Sequence, residues 1–395
     1  MVKDFNQNLD NIPKELKLIL DLINMCDARM ASTSTNLSTK DIDWHLFIEL
    51  AMHHRIYPSL YKKIKGISKE IIPEKVIKIL SNRYKANTFH MLYLSGEMES
   101  IGKLLLDNGI DALFLKGPIL AVELYGDISM RTSCDLDAIV SIKDLNKIDN
   151  LLKNCGYVKE DYIQTVLNDW KWRHHHLTYF HSTKNIKIEI HWRLNPGPGA
   201  EPSFSEMWKR RQSSHMSNVP IYYLGEEDLF FFLVSHGARH GWSRLRWLLD
   251  IHHFIEKNPN WSLIIRALKK YHALHVGGQA VLLATSLFKS TKSLELKPLT
   301  SGNRPVELAI EAIYYLENMV NLHTDPVPDT VAAYHRNHLV SLMSLQQKIL
   351  YIISTLHPYY TDVETLPLPK YLHFLYFPLR PFLCIWRKTR KHALP

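Results

Sequence analysis

Asp135 and Asp137 open the short run Asp135-Leu136-Asp137-Ala138-Ile139-Val140, and their spacing has chemical consequences. On a strand, alternate side chains share a face. The two carboxylates therefore point the same way with Cα atoms ~6.6–6.8 Å apart, while Leu136 and Ala138 turn toward a core. Acidic groups so placed repel unless a cation lies between them, and magnesium characteristically takes one or two carboxylates plus substrate phosphates. Glu189 stands in a second apolar alternation, Ile188-Glu189-Ile190. If the two strands are neighbours, three carboxylates converge, and two magnesium ions ~3.5–4 Å apart can align an in-line attack on phosphorus.

Other residues fit the same chemistry. Lys116 and Arg131 supply positive charge for a triphosphate, and Gly117 opens a helix whose first amides favour anions. His191, two positions past Glu189, shares its strand face and is placed to orient a ligand or touch the triphosphate. The His174-His175-His176 run, with Lys171 and Arg173, reads as a basic patch facing phosphate or acceptor. His236 and His240 have helical i, i+4 spacing, but the intervening Gly-Ala-Arg lacks the glutamate of a zinc hydrolase, so capping of the nucleotide pocket or structural hydrogen bonds are expected of them. Arg246 and Asp250 read as an i, i+4 pair, and Asp127 as a turn residue.

These residues need elements to hold them. Residues 13–108 carry helical apolar spacing, and 111–116 form a short buried strand ending at Gly117-Pro118. A strand over 135–140, a helix over 145–155 closing at Gly156, and strands at 176–181 and 186–192 follow. Asn195-Pro196-Gly197-Pro198-Gly199 is an irregular loop. Helices are predicted over 226–257, 262–288, 305–322 and 328–356. The expected division is a helical region at 1–108, an α/β core at 109–225, and a helical domain with a basic aromatic tail at 226–395. That tail is too short and too broken by proline to span a bilayer. Packing onto the helical domain is expected of it, with a membrane interface as the alternative.

Composition narrows the class. The chain has 395 residues, 46% hydrophobic and 22% charged, an ordinary globular balance that excludes disordered and collagenous proteins. Cys26, Cys134, Cys155 and Cys384 lie far apart, which excludes a disulfide framework and a cysteine zinc site. With no signal-peptide profile and no run of ~18 apolar residues, a cytoplasmic protein is expected. The net charge of +9 favours anionic partners without choosing among them. Rossmann, serine-hydrolase and kinase signatures are absent, and Gly96 to Gly102-Lys103 has the wrong spacing for a P-loop.

Lys116-Gly117, Leu124-Tyr125-Gly126-Asp127, Arg131 and Asp135-x-Asp137 together closely resemble the uncharacterised nucleotidyltransferase family of the DNA polymerase β-like superfamily. Glu189 to Leu194 and His236 to Asp250 are similar as well, and Ala51 to Pro58 fits weakly, so the resemblance spans roughly 43–255. It implies an α+β fold with a five-stranded mixed sheet, and Asp135, Asp137 and Glu189 as ligands of two Mg²⁺ ions, Mn²⁺ being an alternative. Two departures stand out. The superfamily's Gly-Gly/Ser pair is Gly117-Pro118 here, and the third carboxylate is Glu rather than Asp.

The implied reaction moves NMP from an NTP, such as ATP, to a hydroxyl or phosphate and releases pyrophosphate. Similar members occur among tailoring enzymes of ribosomal peptide natural products, lasso peptides included. A peptide or small-molecule acceptor is therefore expected ahead of nucleic acid. The alternatives are a nucleotide-binding pseudoenzyme or regulatory module, and an RNA-directed transferase.

Overall fold

The computed structural model describes residues 9–25, 39–67 and 71–391. Among the described residues, four α-helices precede the sheet: α1 (Lys14–Asn24), α2 (Trp44–His53), α3 (Tyr57–Ile64) and α4 (Glu74–Asp107). Asp43 caps α2 by accepting from the amides of His45 and Leu46, satisfying two donors that have no partner inside the helix. Asn108 and Gly109, the latter at φ +65°, end α4 and turn the chain into the sheet.

The sheet has seven strands: β1 (Ala112–Phe114), β2 (Asp135–Val140), β3 (Val158–Lys159), β4 (His176–His181), β5 (Ile186–His191), β6 (Gln212–Ser214) and β7 (Ile221–Tyr223). Their order is β3-β4-β5-β2-β1-β7-β6. β2 runs parallel to β5 and antiparallel to β1, while β7 joins β1 in parallel. The resemblance implied five strands. The additional width comes from short edge pairs, notably the β6–β7 hairpin. Tyr223 anchors that hairpin by donating toward Glu123 and Gln212.

Between the strands lie α5 (Pro118–Tyr125), α6 (Leu145–Asn154) and α7 (Phe204–Arg210). After them come α8 (Glu226–Arg239), α9 (Leu245–Glu256), α10 (Trp261–Lys270), α11 (Leu274–Leu287), α12 (Asn303–Glu317), α13 (Asp329–Leu342), α14 (Leu345–Leu356), α15 (Tyr360–Thr365) and α16 (Tyr376–Lys391). Three of the four long helices expected after residue 225 are each two helices. The first breaks at Gly241 and Trp242, both in the left-handed region. A side chain at Gly241 would strike the Tyr315 ring at 2.5 Å, so the tight turn is set by packing against α12.

One apolar core runs from Ile12 through the sheet to Leu316 and joins helices from both flanks. The tail packs onto the protein: Tyr376 and Leu383 are buried with Val166, and Arg380 and Arg387 both bind Asp362. Cys134, Cys155 and Cys384 are free thiols, and Cys26 lies outside the described residues. Among the described residues, no helix is long and apolar enough to cross a membrane.

Candidate active site

The register of β2 and β5 sets Asp137 directly opposite Glu189 and Asp135 opposite Lys187. Because successive side chains alternate, Asp135, Asp137, Lys187, Glu189 and His191 all fall on one face of the sheet. Behind them, Leu136, Ala138, Ile188 and Ile190 are buried. The apolar alternation of both strands thus presents three carboxylates together.

Asp137 is fully buried and has three neighbours of consequence. Lys116 approaches its Oδ1 at 3.1 Å, His191 Nε2 lies 3.1 Å from the same oxygen, and Glu189 is its cross-strand neighbour. Its Oδ2 is buried without a hydrogen-bond partner. Glu189 accepts from Lys187 at 2.8 Å and lies 3.6 Å from His191 Nε2. Lys187 also reaches Asp135 at 3.4 Å, so one ammonium bridges two carboxylates.

This crowding divides the acidities. Burial raises the Asp137 carboxyl above the usual range, and the Asp135 charge adds to that against the pull of Lys116. Glu189 is also buried, yet the His191 hydrogen bond and the Lys116 charge outweigh burial and hold it well below its ordinary value. Burial disfavours a charged His191, but its bonds to Asp137 and Glu189 prevail and raise it. Lys116 is raised in the same way by the three carboxylates against its burial.

The donor set fits a divalent cation. Ligand atoms of Asp137, Glu189 and His191 lie within 4.8 Å of one another, and the unpartnered Asp137 Oδ2 offers a further oxygen. His175, His176 and His191 form a second such group among the described residues. Asp135 stands outside both groups, with its Oδ2 turned to Lys187.

Gly117 sits at φ +86°, ψ −139° as the N-cap of α5, directly against the backbone of Asp135. Only glycine adopts that conformation readily, which explains the residue after Lys116.

Arg131 departs from expectation. Its guanidinium donates to both oxygens of Asp250 at 2.9 and 3.0 Å, and its side chain is only 2% exposed. The Nε and Nη2 edge of the fork is thereby committed within the core, and Nη1 points to the Thr132 carbonyl at 3.4 Å, so Arg131 positions the loop before β2. Asp250 consequently is not the partner of Arg246, which instead donates to the carbonyl and hydroxyl of Thr132. Asp127 has the structural role expected of it, accepting from the Ser129 amide and from Lys62.

Lys116 borders the site as expected, and three further cations were not assigned to it from sequence. Arg246 has a buried Nε with no partner, and burial together with Arg131 and Arg55 lowers its pKa to about 10. Arg55 donates to Cys134 beside Asp135. Lys187 could have been found, since it precedes Glu189 by two positions on the same alternation.

A family model described as uncharacterised nucleotidyltransferase matches residues 40–289, from α2 through the end of α11. No curated protein matches the chain. The matched span contains the whole sheet and every residue of the carboxylate centre, and the chain belongs to this family of nucleotidyltransferases.

Proposed function

We propose that this nucleotidyltransferase moves a nucleoside monophosphate from an NTP to a hydroxyl or phosphate of a peptide or small-molecule acceptor. In the hydroxyl case, the acceptor oxygen forms a bond to the α-phosphorus and the bond to the pyrophosphate oxygen breaks. Pyrophosphate leaves, and the hydroxyl proton passes to a carboxylate of the centre. The observation that carries this reading is the cross-strand pairing of Asp137 with Glu189, with His191 against both.

Within this reading, β1, α5, β2 and β5 form a polymerase β-like core, and Asp135, Asp137 and Glu189 hold Mg²⁺ or Mn²⁺. Bound there, the ion would polarise the triphosphate and lower the pKa of the attacking hydroxyl. Glu189 or Asp137 takes the proton of the attacking hydroxyl. Gly117 lets the backbone at the start of α5 approach the phosphates. Lys116 and Arg246 neutralise charge building on pyrophosphate, taking the part that sequence had given to Arg131. His191 fixes the two carboxylates against each other.

The test is a thermal-shift panel of ATP, GTP, CTP and UTP with and without Mg²⁺, followed by pyrophosphate release. A nucleotide at 100 times its dissociation constant should stabilise by about 2.7 kcal/mol, which is a few degrees here. The expected result is a Mg²⁺-dependent shift for at least one nucleotide, absent in the Asp135→Asn/Asp137→Asn double variant. A shift indifferent to Mg²⁺ and to these substitutions would remove the carboxylates from the reaction.

A further inference from the structure

Beside the carboxylate centre, a cavity of about 680 Å³ opens between the loop 195–201, the inner face of α8 and helix α14. That size suits a small organic ligand or the end of a peptide. Its walls are largely apolar and aromatic, with Trp172, Phe231, Val276 and Tyr351 among them.

Four charged side chains on its walls, Asp169, Arg173, Glu201 and Arg239, differ sharply in how they are satisfied. Asp169 accepts from Arg173 at 2.5 Å, and Glu201 accepts from Arg193 at 3.1 Å and from the amides of Leu194 and Asn195. Each carboxylate is therefore already neutralised by its own arginine. Arg239 has no such partner. Its Nε is buried without a hydrogen bond, and its other nitrogens meet only imidazole nitrogens, His175 Nε2 at 3.5 Å and His236 Nδ1 at 3.4 Å. Burial pulls its pKa down to about 10, with Glu189 and Glu201 opposing from a distance. Arg239 thus stands half-buried on the cavity wall with no carboxylate on its guanidinium, an arrangement that an anion would complete.

We propose that the cavity binds an amphipathic monocarboxylate, its carboxylate on the Arg239 guanidinium and its apolar body against the aromatic walls. One planar fork matches one carboxylate in charge and geometry, whereas a dianionic phosphate would remain half-neutralised. The His175 ring touches Arg239 on one side and packs 5.3 Å from the His191 ring on the other, and His191 binds Asp137 and Glu189. The cavity's charged end therefore shares a wall with the carboxylate centre, where an acceptor has to lie. That the ligand is the acceptor rests on the transfer reading above; that it binds rests on Arg239 and the cavity alone.

Fluorescence titration with dansyl-L-phenylalanine and its neutral amide, in the full chain without nucleotide, tests this. The acid should bind about tenfold or more tightly than the amide, the size of one charge-assisted hydrogen-bonded contact. Arg239→Gln should erase that preference while leaving amide binding in place, which also shows the cavity intact. Arg239→Lys should keep part of it. Ser235→Trp, one helical turn before Arg239 on the cavity wall, should abolish binding of both probes. Equal affinity for acid and amide, no binding of either, or indifference to Ser235→Trp would overturn the proposal. So would displacement of the probe by Mg-ATP, which would make the cavity a base pocket. No turnover is involved, so the result is independent of pyrophosphate release.

Discussion

Asp250 on α9 accepts from Nε and Nη2, one edge of the Arg131 guanidinium, 119 positions away in the chain, and receives the Tyr125 hydroxyl at 2.7 Å on the same oxygen that accepts Arg131 Nε. The Arg131–Asp250 pair is buried in the core, and Tyr125 is half-buried beside it. Removing one partner of a buried pair leaves the other charge uncompensated, at about 3–5 kcal/mol. Arg131→Gln and Asp250→Leu should each lose roughly that much stability in urea unfolding. The Arg131→Met/Asp250→Leu double variant should recover a clear part of it. Strictly additive losses would show that the pair is not a unit.

Lys187 bridges Asp135 and Glu189, so it neutralises the same oxygens a metal ion would. Lys187→Met should lower the melting temperature in the presence of chelator, because two carboxylates lose their shared cation. The same variant should show a larger Mn²⁺-induced rise in melting temperature than wild type. An equal or smaller rise would place the ion away from these two carboxylates.

His53, His253 and His335 are pushed down to about 4, in each case chiefly by burial. An unfolded histidine titrates near 6.5, so between these values the unfolded chain binds more protons. Their contribution to stability is complete above about 6.5 and is lost as pH falls toward 4. The melting temperature should therefore drop as pH is lowered through this window, and His253→Gln should flatten the slope. A melting temperature that is level from pH 7 to 4.5 would contradict the assignment.

Gly117→Ala should destabilise by about 1–3 kcal/mol, the usual penalty for forcing a side chain into that backbone region. The Mg-NTP thermal shift should weaken with it, since Gly117 lies against Asp135. Retention of both stability and shift would mean that the turn can relax.

Much of the site was legible because strands write their two-residue period into the sequence. Alternation alone placed Asp135 with Asp137 and Glu189 with His191, and the structure sets the two strands side by side. The same period would have marked Lys187. The pairing of Arg131 with Asp250 was not legible, because Asp250 is remote in sequence and nothing local marks it as a partner. The break between α8 and α9 was hidden for a similar reason: it follows from Tyr315 pressing on Gly241. The cavity draws its walls from residues 162 to 361, and no single stretch of sequence encodes it.

The loop leading into β2 is fastened from both ends of the chain. Asn87 on α4 donates to the carbonyls of Ser129 and Arg131, His90 meets that of Ser133, and from the other side come Asp250 and Arg246. A fragment limited to 109–225 would keep all three carboxylates and lose every one of these ties. The helices around the sheet are therefore part of the instrument that aims Asp135 and Asp137, and excision of either flank should silence the site before it unfolds the sheet.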